Sequence, residues 1–88
     1  MNNREGFVEL LKNEIADISL DIKFYEGEIS YHDIARHAKG ISRKEKGMHK
    51  HYISLSKKQI KFFRKVLKKY QQIKAEVLNL GGGFGDER

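Results

Sequence analysis

Seven cations fall within thirteen residues of the chain: Lys57, Lys58, Lys61, Arg64, Lys65, Lys68 and Lys69, with no acid among them. Lys57, Lys61, Arg64 and Lys68 step i, i+4, i+7, i+11, which is one face of a helix. Lys58, Lys65 and Lys69 broaden that face. Like charges four residues apart on a helix repel by about 0.2–0.5 kcal/mol per pair. A nucleic-acid backbone relieves this repulsion and releases its own counterions in exchange. The chemistry expected of this stretch is therefore phosphate contact, on DNA or RNA.

A second basic segment precedes it. Arg36, Lys39, Arg43, Lys44, Lys46 and Lys50 are mixed with His32, His37, His49 and His51, and Tyr31 and Tyr52 are interleaved. Cations alternating with rings suit phosphate contact and base stacking. Arg36, Arg43, Lys44 and Lys50 are expected to extend the surface built on the last helix. Asp33 to Arg43 looks like the start of a helix-turn-helix unit, in its Ile34-Ala35 pair, its Gly40 and the Ile41-Ser42 that follows. The glycine comes one residue later than that pattern has it. Lys46 and His49 stand where the second helix of such a unit would bury apolar residues.

Other chemistries find less support. His32 and His37 are five apart and splay on a helix; His49 and His51 are two apart and share a direction only on an extended strand. With no cysteine in the chain and no Glu completing a tetrahedral set, no metal site is expected. The histidines read as exposed residues of a basic region. Arg43 and His49 are spaced R-x5-H, which resembles the loose signature of the HEPN ribonucleases. That resemblance implies a helical enzyme using the pair on RNA, although Lys44 replaces the polar residue that usually follows the arginine. Gly81-Gly82-Gly83 follows no strand and is not a phosphate loop. The acids near the N-terminus form no acid/base pair. Neither catalysis, nor a cofactor, nor a small-molecule ligand is expected.

The charge is divided along the chain. Residues 1–33 carry eight acids and three bases, and residues 34–80 carry fourteen bases and two acids, within a net charge of +6. The acidic part cannot neutralise the basic part, so positive surface must remain. This division also supports an alternative: a helical protein–protein interaction module or regulator, in the size range of phage- and plasmid-encoded proteins. It would pair acidic helix with basic helix within one chain or across a homodimer. No apolar run is long enough to span a membrane, and residues 1–5 have no apolar leader. The expected location is the cytoplasm. A cationic helix bearing Phe62, Phe63 and Leu67 could rest on anionic lipid, but a core explains the same residues.

These residues need elements to hold them. Phe7, Leu11, Ile15, Ile18, Ile22, Tyr25 and Ile29 recur three and four apart and predict a helix over about 4–26, stopped at Gly27. Ser30 suits an N-cap for a short helix ended by Gly40. Ser42-Arg43-Lys44-Glu45 has the form of a capping box, opening either a third helix or a basic loop. Ser56-Lys57-Lys58-Gln59 is another, ahead of Phe63, Val66, Tyr70, Ile73, Val77 and Leu80, which predicts the last helix over 57–80. Ile60, Phe62, Leu67 and Leu78 widen its stripe. The absence of proline suits long helices. The expected fold is all-α: one domain over 1–80, a small helical bundle of two long amphipathic helices with a one- or two-helix middle laid across them. Residues 81–88 are expected to be a flexible, glycine-rich tail.

Overall fold

The computed structural model describes the backbone of residues 3–86 and the side chains of residues 3–79. The described residues are all-α, as expected, but they make two helices where the sequence reading has three or four. α1 spans Asn3–Ala35 and α2 spans Arg43–Asp86. At 33 and 44 residues they run ~50 Å and ~66 Å. A seven-residue connection folds them into an antiparallel hairpin. Tyr25 stacks on Phe63 and Glu26 meets Arg64. Val8 and Leu78 line one cleft towards the other end.

The reversal rests on two local devices. Gly40 has φ 79°, the left-handed conformation that costs any other residue about 1 kcal/mol or more. Just before it, the backbone N–H groups of His37 and Ala38 bond to the carbonyls of Ile34 and Ala35, both at 3.1 Å, which tightens the end of α1. Just after it, the Ser42 capping box forms in full. Ser42 Oγ accepts from the Glu45 N–H at 3.1 Å, and Glu45 Oε1 accepts from the Ser42 N–H at 3.4 Å.

Several expected boundaries are corrected. α1 does not stop at Gly27; it continues through Ser30 to Ala35. Gly27 costs ~1 kcal/mol inside a helix, but Ile29 beyond it packs on the core shared with α2. The proposed middle helices are the end of α1 and the first turns of α2. Gly47 lies inside α2. Ser56 is not a cap. It is 7% exposed in the middle of α2, three residues after Ile53 and four before Ile60, and so belongs to the apolar stripe. A small residue there suits close helix packing. Nor does the middle segment cross the hairpin as a layer. The helical backbone of α2 also continues past Gly81-Gly82-Gly83 to Asp86. The side chains of 80–88 and the backbone of 87 and 88 lie outside the described residues.

The core is a thin seam. Among the described residues, Val8, Leu11, Ile18, Ile22 and Ile60 are the buried apolar ones. Tyr25, Ile29, Phe63, Val66, Leu67 and Tyr70 pack half-buried around Ile18, Ile22 and Ile60. Phe7 was expected in this stripe but is exposed, and its neighbour Val8 takes the inward position. Among the described residues, no helix is long and apolar enough to cross a membrane.

Candidate nucleic-acid interface

All seven cations of 57–69 stand on α2, and all are exposed. The hundred-degree period puts Lys57, Lys61, Arg64 and Lys68 along one flank of the buried stripe Ser56–Ile60–Phe63–Leu67, and Lys58, Lys65 and Lys69 on the back of the helix. Lys50 is seven residues before Lys57 and extends the same flank. It lines an open cleft between the helices together with Asp33, Arg36 and Lys57. Arg43 and Lys44 are exposed in the first turn of α2.

Carboxylates meet few of these cations. Among the described residues, Arg64 is the one member of the seven with an ion pair, to Glu26 Oε2 at 3.4 Å, and both side chains are more than half exposed. Asp17 and Asp21, acids of α1, form no ion pair with the basic helix. Arg36 is already engaged. Its Nε donates to Asp33 Oδ1 at 2.9 Å, with Nη2 at 2.8 Å from the same oxygen. Of the middle-segment cations, Lys50 therefore joins the flank unpaired, and Arg36 joins it through a carboxylate.

The histidines are not the uniformly exposed group expected from the sequence. His32 and His49 are half-buried, and their Nδ1 atoms face each other at 2.8 Å. One ring donates and the other accepts, so the bond exists only while at least one of the two is neutral. His32 Nε2 also stands 3.3 Å from Glu28 Oε2, and its ring stacks on Tyr52 at 5.1 Å. This contact is seventeen residues apart in sequence. Its one sequence signal is that His32 follows Ile29 by three and His49 precedes Ile53 by four, so both continue the inward stripes. His37 remains exposed and its Nδ1 donates to the Asp33 carbonyl at 2.8 Å. No group of three metal-ligating side chains comes together among the described residues. Arg43 and His49 share one helix at a spacing that turns them ~120° apart. His49 points at His32 and Arg43 is exposed, so the R-x5-H pair does not converge. The Asp33–Arg43 segment makes the hairpin connection, and the helices on either side run antiparallel, unlike the steep crossing of a helix-turn-helix unit.

The chain matches no protein-family model, no curated protein and no solved structure.

Proposed function

We propose that this chain binds the phosphate backbone of nucleic acid along one flank of α2. Lys57, Lys61, Arg64 and Lys68 form the track and Lys50 extends it. Lys58, Lys65, Lys69, Arg43 and Lys44 add long-range attraction, and Arg36 contributes through its pair with Asp33. The observation that carries this reading is the lack of internal neutralisation: seven cations in thirteen residues meet one exposed carboxylate. Four i, i+4 pairs among them repel (57–61, 61–65, 64–68 and 65–69), each by roughly 0.2–0.5 kcal/mol. A polyanion removes that repulsion. A straight helix of this kind offers charge without a shaped pocket, so the binding is electrostatic and weakly sequence-selective.

Fluorescence anisotropy with labelled duplex DNA and single-stranded RNA, from 50 to 300 mM salt, tests it. Five neutralised phosphates give a slope of log K against log salt of about −4.5 on duplex DNA. Lys57→Glu/Lys61→Glu/Lys68→Glu should abolish binding at 150 mM salt, and Lys58→Glu/Lys65→Glu/Lys69→Glu should weaken it less. No binding to either nucleic acid at 50 mM salt would sink the reading.

A further inference from the structure

α1 is apolar on two faces. One face packs on α2 through Leu11, Ile18, Ile22, Tyr25 and Ile29. The other carries Leu20, Phe24, Tyr31 and Ile34, each more than 60% exposed. An apolar stripe on a helix normally faces a core, and in the hairpin only one of the two on α1 is covered. α2 differs, with a charged back and a second apolar row only beside its core stripe. Met48, Leu55 and Phe62 form that row at seven-residue spacing, and all are exposed.

Leu20, Tyr31 and Ile34 lie on the back of α1, whereas Phe24 shares one side of the seam with the Met48–Leu55–Phe62 row: Phe24 and Phe62 are each two residues, and so ~200°, from Glu26 and Arg64, which pair on the other side. Phe24 stands edge-on to Tyr25 at 5.2 Å, Tyr25 stacks on Phe63 at 5.8 Å, and Phe63 meets Phe62 at 5.7 Å. Four rings thus cross both helices and end on exposed Phe24 and Phe62. Further along, Tyr31, His32 and Tyr52 make a second crossing, at 5.0 and 5.1 Å. On α2 this surface and the cation flank of Lys57, Lys61 and Lys68 lie on opposite sides of the buried stripe.

We propose that a second copy of this chain covers the aromatic face, with α1 of each copy lying on α2 of the other about a two-fold axis parallel to the helices. Area and charge single out this occupant. The chain exposes 7042 Å², where a compact monomer of 10.3 kDa exposes ~5,400 Å². The excess is roughly 1,700 Å² per chain, and twice that, roughly 3,400 Å², is in the range that an obligate dimer buries in total from both chains. α1 carries eight acids and three bases, and α2 carries twelve bases and three acids. Setting α1 on α1, or α2 on α2, would oppose like charges. Setting α1 on the partner's α2 opposes unlike ones, and a closed two-fold pairing does so twice. In that arrangement Phe24 meets the partner's Phe62. The cation flank stays outside the interface, so this assembly does not depend on nucleic-acid binding.

Sedimentation equilibrium of the full chain without nucleic acid, from 1 to 100 μM in 150 mM salt, should give twice the chain mass. Phe24→Glu should raise the dissociation constant at least ~30-fold. Because that variant can also unfold a thin hairpin, single-cysteine variants decide the arrangement. An oxidised mixture of Phe24→Cys and Phe62→Cys proteins should cross-link mainly 24 to 62. A helical monomer at 100 μM overturns the proposal. So does a trimer or larger species, or a Phe24→Cys protein that cross-links to itself as well as to Phe62→Cys. These outcomes are read without nucleic acid, and the anisotropy result stands or falls separately.

Discussion

At the scale of single residues, Gly27, Gly40 and Gly47 separate sharply. A Cβ added at any of them meets nothing within 4 Å, so backbone conformation alone decides the effect. Gly40 is left-handed, and Gly40→Ala should cost about 1 kcal/mol, lowering Tm by ~4–8 °C for a chain of this size. Gly27 and Gly47 are in helix interiors, and Gly27→Ala or Gly47→Ala should each stabilise by roughly 0.5–1 kcal/mol. Thermal denaturation followed by circular dichroism checks all three. An unchanged Tm for Gly40→Ala would mean that the turn does not need its positive φ. Ser42→Ala removes the acceptor for the Glu45 N–H and should cost ~1 kcal/mol. Ser56→Ala loses no cap, so it should not show that cost.

At the scale of elements, the contrast between Ser42 and Ser56 shows where the sequence is legible. Both begin a capping box, and only the one beside Gly40 is used, because the chain reverses there. At Ser56 the stripe Ile53–Ser56–Ile60 runs straight through against α1, and continued packing outweighs the local signal. The apolar period was readable because both long helices obey it: Leu11, Ile18, Ile22, Tyr25 and Phe63 all face inward. Helix ends were not, because a glycine or serine marks a stop only if the partner helix also stops. The His32–His49 contact was hidden for a related reason, since its pairing depends on register between helices. The cations of 57–69 were legible as an exposed flank, and the engagement of Arg36 by Asp33 was not. Proline separates the two readings of α2. Arg43 is the first residue of the helix, where proline is tolerated, so Arg43→Pro should leave Tm within a few degrees. Lys57→Pro falls inside a continuous helix and should cost about 3 kcal/mol or more. Equal tolerance at both positions would restore a helix start at Ser56.

At the scale of the whole molecule, the hairpin is long and thin, 70 × 19 × 13 Å with a radius of gyration of 19.9 Å. A compact chain of 88 residues has ~12 Å. A seam this narrow gives each inward side chain a large share of the stability. Ile60→Ala should cost ~2–5 kcal/mol, enough to unfold much of the population at 37 °C, with urea denaturation as the measurement. A loss below ~1 kcal/mol would show that the Ile18–Ile22–Ile60 cluster is not the centre of the fold.

The antiparallel hairpin brings the first residue of α1 and the last of α2 to the same end, opposite Gly40. Force applied through the two chain ends therefore peels the helices apart turn by turn and never loads the whole seam at once. The pairs nearest the turn, such as His32 with His49, close short loops and should be the last to part and the first to re-form. Pulled in an optical trap, the chain should open gradually at low force from its free end, whereas attachment at residue 40 and one terminus would shear the same contacts together and resist far more.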